Sequence, residues 1–202
     1  MFHIRYQKSI IVFALVIGAY SLLGAPPVQA DSHKTSIEPL LNLMMGGAVV
    51  PGTGTILVRT KEGIGATVHT FGLVPGNAYT FWLAIFNNPK ECATTPCSAP
   101  GDLMNPEVRG VLLWGSGQIA GEDGTADFGT FRAVGDASGK AVGPPATAEA
   151  LEKPFKAEIH LAVRSHGPAS ADPAVLQEQL TMFNGGCPPN TCVTVQAAPH
   201  RP

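Results

Sequence analysis

The chain has 202 residues, with 13 basic against 15 acidic side chains and only 14% charged residues overall. So few cations offer neither a nucleic acid nor an anionic bilayer a binding surface. The 23 glycines and 18 prolines suit short strands joined by turns better than a helical bundle.

The first thirty residues have the layout of a secretory signal. Arg5 and Lys8 give a basic start, and Ile10 to Ala25 forms an uncharged, mostly apolar run. The pair Pro26-Pro27 then leads into Val28-Gln29-Ala30, with small side chains at positions −3 and −1 of a cut after Ala30. The run falls short of the roughly 20 apolar residues of a membrane span. Residues 1–30 are therefore expected to be a cleaved signal peptide, with membrane contact only during export to the periplasm or the medium. The mature chain would keep 172 residues with 11 basic and 15 acidic side chains, enough for one core and few for two.

Residues 31–50 read as an N-terminal segment, polar and then briefly apolar from Leu40 to Met45, either a short helix or a stretch draped over the domain. Residues 51–202 read as a single disulfide-stabilised domain. After the turn Pro51-Gly52-Thr53-Gly54, alternation predicts strands over Thr55 to Arg59 and Ala66 to Phe71, separated by Lys61-Glu62-Gly63. A turn at Leu73 to Asn77 opens the most apolar strand, Ala78 to Phe86, whose two apolar faces place it centrally. Asn87 to Pro106 is a long loop, and Val108 to Ala120 returns to strand. Gly121-Glu122-Asp123-Gly124 reads as a hairpin turn into Thr125 to Phe131. A short helix is expected over Thr147 to Lys153.

Ala157 to His166 is the most informative strand. Ile159, Leu161 and Val163 point to a core, while Glu158, His160, Ala162, Arg164 and His166 form a polar face. Asp172 reads as an N-cap with Pro173 at the first helical position, and Leu176, Leu180 and Phe183 keep helical spacing before Asn184-Gly185-Gly186. Val193 to Gln196 is a last short strand. The whole predicts a mainly β, antiparallel two-sheet sandwich with one or two short helices.

All four cysteines follow the expected cut. Cys92 and Cys97 enclose Ala-Thr-Thr-Pro, and Cys187 and Cys192 enclose Pro-Pro-Asn-Thr. An even count in an exported chain reads as two disulfides. Three connectivities are open, and the turn formers inside each pair favour the two local ones. A four-cysteine zinc site generally uses shorter spacings and a reducing compartment.

The phrase Gly72-Leu73-Val74-Pro75-Gly76-Asn77-Ala78-Tyr79 resembles the turn-into-strand phrase of fibronectin-type and other immunoglobulin-like sandwiches. The order from Gly72 to His200 resembles an uncharacterised family of exported bacterial proteins. Its marks are Phe86-Asn87-Asn88-Pro89, Ala157 to Leu161, Arg164 to Pro168 and Gly185-Gly186-Cys187. That resemblance implies a fold but no activity. A strand ending in a glutamate-histidine phrase is also similar to chordin-type repeats.

Candidate chemistry centres on histidine. His160 and His166 share a strand face but lie six residues apart, about 20 Å along an extended chain, so one metal cannot bridge them. Either could meet His69 or His200 from a neighbouring strand, near Glu158, in a set suited to copper or zinc. Alternatively His160 and Arg164 pair with acidic neighbours, and His166 bonds within a turn. A cut after Ala30 would begin the mature chain Asp31-Ser32-His33, whose amine, amides and imidazole suit square-planar Cu(II) or Ni(II). No Gly-x-Ser-x-Gly elbow or His-Glu-x-x-His helix is present. Turn and bulge glycines account for Gly115, Gly117 and Gly121, and Asp102, Asp123 and Asp127 read as solvated loop carboxylates. Core packing is the default reading of Trp82 and Trp114, and a cleft lining is the alternative. These features favour a non-enzymatic extracytoplasmic module binding an unknown protein or small ligand through its loops, ahead of a periplasmic copper- or zinc-binding protein.

Overall fold

The computed structural model describes residues 32–142, 146–187 and 192–202. The expected signal peptide and Asp31 lie outside them. The chain divides into Met1–Ala30 and Asp31–Pro202, and everything below belongs to the second unit. Among the described residues, no helix is long and apolar enough to cross a membrane.

Among the described residues, ten strands form two antiparallel sheets. In chain order they are β1 (Lys34–Glu38), β2 (Leu41–Asn42), β3 (Ala48–Val49), β4 (Gly54–Arg59), β5 (Gly63–His69), β6 (Asn77–Phe86), β7 (Gly110–Ile119), β8 (Asp127–Ala133), β9 (Glu158–Pro168) and β10 (Val193–His200). Helix α1 (Gly101–Met104) lies between β6 and β7, and α2 (Pro173–Thr181) between β9 and β10. One sheet has the order β1-β4-β5-β8 and the other β3-β2-β10-β9-β6-β7. The mainly β sandwich predicted from the alternation is the fold observed.

Residues 34–49 differ from the expectation of a helix or a draped segment. β1 pairs with β4 along its whole length, and β2 pairs with β10. Leu43–Met45 is a single 3-10 turn capped by the Asn42 side chain. Lys-Thr-Ser-Ile-Glu has too little periodicity to announce a strand by itself. It becomes one because β4 offers an open edge.

The core between the sheets is built from alternate positions. Phe81, Leu83 and Ile85 of β6 and Ile159, Leu161 and Val163 of β9 meet Leu57, Ile64, Val68 and Phe128 of the smaller sheet. A second cluster lies on the other face of the six-stranded sheet, where Trp82, Phe86 and Leu112 pack with Cys97, Leu103 and Val108. This second cluster is why β6 is buried on both faces. Fully burying a side chain such as Phe86 or Leu103 stabilises by roughly 1.5–3 kcal/mol, so the covering loop is part of the folded body.

The turn at Gly121 to Gly124 forms as read, with the Gly121 amide donating to Thr125 O at 2.9 Å. It does not make a hairpin. β7 pairs with β6, and β8 pairs with β5 in the other sheet. The turn at Leu73 to Gly76 also crosses between sheets, and the two crossings bond to each other: Leu73 N donates to Gly124 O at 3.0 Å and Gly76 N to Ala120 O at 3.0 Å. Turn residues report a reversal of direction, not which strand edge is free afterwards. Tyr79 closes the first crossing, its hydroxyl accepting from Val74 N at 3.0 Å.

No helix forms over Thr147 to Lys153, which is a series of bends anchored by Thr147 N and Ala148 N on Gly110 O. Helix α2 starts as predicted, the Asp172 carboxylate accepting from Ala174 N and Val175 N with Pro173 in the first turn. Its buried residue is Gln179, while Leu176 and Leu180 are only half-covered.

Candidate functional site

On the outer face of the six-stranded sheet, residues 98–103, just after Cys97, and Phe183 and Asn184, just after α2, stand on either side of a hollow of about 640 Å³. Its floor is a row of short side chains. Ala162 of β9 lies directly between Trp82 of β6 and Ala197 of β10, and Ala84 sits beside His160. Large residues at these alanine positions would fill the space. Leu103, Ala99 and Pro100 form one wall, Phe183 and Asn184 the other, and Leu43 closes a third side. The polar groups at its surface are few, chiefly Ser98, His160, Arg164 and Thr194.

The first wall is locked by buried acids. Cys92 is bonded to Cys97, their Cα atoms 5.4 Å apart. Asp102, 3% exposed, accepts from Ala93 N at 2.8 Å and Ser98 N at 2.6 Å. It is therefore not the solvated loop carboxylate of the sequence reading. A backbone with several unpaired amides drew it in, since buried N–H groups need acceptors. Glu158, also 3% exposed, accepts from Cys97 N and from His160 Nε2, both at 2.7 Å. The same carboxylate thus seats the loop on β9 and orients the His160 ring, which packs on Phe86 with 4.9 Å between centroids. Asn87 adds a tie, donating to Arg109 O and Ala150 O and accepting from Glu152 N.

The second wall is held by Arg164. Its Nε donates to Phe183 O at 2.7 Å, Nη1 to Thr194 Oγ1 at 3.2 Å, and Nη2 to Asn184 Oδ1 and Cys192 O, each at 2.7 Å. The guanidinium lies 4.0 Å from the centre of the Phe183 ring, which meets Trp82 edge-on at 5.2 Å. An acidic partner for Arg164 was one expectation, but its acceptors are neutral oxygens. Burial lowers its pKa from the ordinary arginine value.

Behind this wall, Cys187 is bonded to Cys192 with Cα atoms 5.7 Å apart. Both local pairings favoured by the turn formers are thus present. His166, 2% exposed, is held in a chain of polar groups and not within a turn. Trp82 Nε1 donates to Thr80 Oγ1 at 2.7 Å, leaving that hydroxyl to donate to His166 Nε2 at 2.7 Å. The proton on Nδ1 then goes to Gly185 O at 2.9 Å. This tautomer follows from the Gly185 carbonyl being an acceptor only. Burial lowers the His166 pKa, opposed by the Gly185 carbonyl and assisted by Arg164, so the ring is neutral. Gln179 of α2 completes the support, accepting from Ser170 N and donating to Pro168 O.

The histidines considered for metal do not share ligands. His33 is exposed at the start of the described residues, and Asp31 of its N-terminal motif lies outside them. His69 is on the surface of the smaller sheet, 2.5 Å from Asp127 Oδ1. His200, fully buried, bonds Ser36 through Nδ1 at 2.7 Å and Thr55 through Nε2 at 2.8 Å. Among the described residues, two groups bring three ligand atoms within 4.8 Å of one another: His166 with Cys187 and Cys192, and Asp102 with Cys92 and Cys97. In both, the sulfurs are already bonded to each other, and thiolate is the form that ligates metal.

Trp82, read by default as a core residue, packs in the second cluster and also borders the hollow. Trp114 is not in the hollow and spends its indole N–H on Leu180 O at 3.0 Å. The alanine floor gave no signal, because only strand register assembles it. Compared with family models, with curated proteins and with solved structures, the chain has no match.

Proposed function

We propose that the protein is an exported, non-enzymatic binding module that takes a small, largely apolar ligand into the hollow on the outer face of its six-stranded sheet. The observation that carries this reading is the row Trp82, Ala162, Ala197 between one wall fixed by Asp102 and Glu158 and another held by Arg164. A cavity of about 640 Å³ is within the range of small-molecule sites, which are mostly apolar with a few placed polar groups. Loops tied to a rigid sheet are where such domains put recognition. The disulfides and the signal-like start support action outside the cytoplasm.

The test uses N-phenylnaphthylamine, a neutral fluorophore that brightens on leaving water. The wild-type protein should enhance its emission saturably. Ala162→Leu and Ala197→Leu, each projecting into the floor without touching the inter-sheet core, should weaken binding at least tenfold while leaving the near-ultraviolet circular dichroism unchanged. Dye binding that survives both substitutions would place the apolar site elsewhere and end this reading.

A further inference from the structure

The hollow has a charge asymmetry that selects among apolar ligands, and the following rests on the hollow being the binding site. We infer that its ligand is an amphiphilic monocarboxylate, with the carboxylate at Arg164 and the hydrocarbon body lying across the alanine floor toward His160.

Arg164 carries the argument. Each acceptor it meets is a carbonyl, amide or hydroxyl oxygen, and among the described residues no carboxylate lies within ion-pair distance of it. Neutral acceptors satisfy hydrogen bonds but leave the net positive charge uncompensated in a half-buried, apolar setting. An incoming anion would find that charge without displacing a resident one. It would also find it positioned. Four N–H bonds and the Phe183 ring fix the guanidinium, so little side-chain entropy is lost on binding. One of the two Nη1 protons has no partner among the described residues, and a carboxylate oxygen is the acceptor that a guanidinium N–H pairs with most strongly.

The opposite end of the hollow has the opposite character. His160 lines it four residues back along β9, about 13 Å from Arg164 along an extended strand. Behind the ring stands Glu158, whose carboxylate already holds His160 and the Cys97 amide. A second negative group on the ligand would be brought toward a buried anion, which disfavours dicarboxylates. Between the ends the surface is Ala84, Ala162, Ala197, Trp82 and Leu103, which offers hydrocarbon contact and no further charge. A single anionic head with an uncharged tail satisfies both ends, whereas a cationic amphiphile meets repulsion at Arg164.

The test is displacement of N-phenylnaphthylamine from wild-type protein by four probes: decanoate, decanol, decanedioate and decyltrimethylammonium. A charge-assisted hydrogen bond contributes about 1.5–3 kcal/mol, or roughly ten- to a hundredfold in affinity. Decanoate should therefore displace the dye at least tenfold more effectively than decanol, decanedioate or the ammonium compound. Its advantage should shrink in Arg164→Gln, which keeps a hydrogen-bonding group but not the charge. Should that variant lose its near-ultraviolet signal, the wild-type series decides alone. Equal displacement by decanoate and decanol, or preference for the ammonium compound, overturns the carboxylate inference while the hollow remains the dye site. Dye binding that is untouched by both Ala162→Leu and Ala197→Leu overturns both.

Discussion

His200 is a buried imidazole with both nitrogens occupied. Thr55 donates its hydroxyl proton to Glu38 O at 2.8 Å, so it accepts from His200 Nε2–H, and Nδ1 accepts from Ser36. Burial is the main reason its pKa falls from 6.5 to about 4, with smaller contributions from Arg59 and His160. The unfolded chain therefore binds a proton between pH 6.5 and 4 that the folded chain refuses. Stability is full above the unfolded value and is lost as pH falls through that window, by up to roughly 3 kcal/mol from this group. Urea denaturation at pH 7 and pH 4.5 should show a smaller loss in His200→Gln than in wild type. Equal losses would assign the acid sensitivity to other groups. At this scale, the pairing of His160 with Glu158 was readable from their shared strand face. The inward Arg59 and the buried Asp102 were not, because a charged residue enters the interior only when distant backbone atoms there need it.

Two elements, β7 and α2, touch where a side chain is missing. A Cβ on Gly117 would stand 2.0 Å from Leu180 O, so the helix can lie on the strand only because that position is glycine. The nearby Gly115 is the unpaired residue of a bulge, skipped between Phe81↔Ser116 and Trp82↔Trp114. The turn-and-bulge reading of the sequence thus held for Gly115 and missed the close approach at Gly117. Gly117→Ala should push α2 outward, costing about 1–3 kcal/mol. It should also weaken dye binding, since Phe183 follows directly from the helix. The control is Gly65→Ala in β5, where an added Cβ meets nothing within 4 Å, and its urea midpoint should not fall. A Gly117→Ala protein as stable as wild type would show that the helix is not seated as described. The sequence located α2 by its Asp172 cap and Pro173, but it pointed to Leu176 and Leu180 as the covered side, and Gln179 is the residue actually buried. Carbonyls of Pro168 and Gly186 draw the amide in, and no helical periodicity announces such partners.

Across the whole molecule, Arg59 ties the end of one sheet to the other. It is fully buried at the end of β4, donating through Nη1 to Pro154 O and Ala157 O and through Nη2 to His200 O and Arg201 O. Burial lowers its pKa to about 10, partly offset by Glu158, which leaves it charged at neutral pH. Arg59→Met keeps much of the stem volume and leaves those carbonyls without this donor. A loss of about 3 kcal/mol is expected from the urea midpoint, together with faster amide exchange in β10. An unchanged midpoint would show that the sheets are held together at this end by other contacts.

Alternating apolar residues, turn formers, a helix cap and two closely spaced cysteine pairs determined the strands beyond Gly54, their inward faces, the start of α2 and the local disulfides. Each of these is a property of a few consecutive residues, which is why sequence could report them. The crossing of β7 to β8, the strand made of Lys34–Glu38 and the alanine floor of the hollow depend on which edges and faces meet across the chain. Register and loop packing are settled by long-range burial, and short side chains such as Ala162 and Ala197 have no meaning as a cavity until Trp82 is brought alongside them.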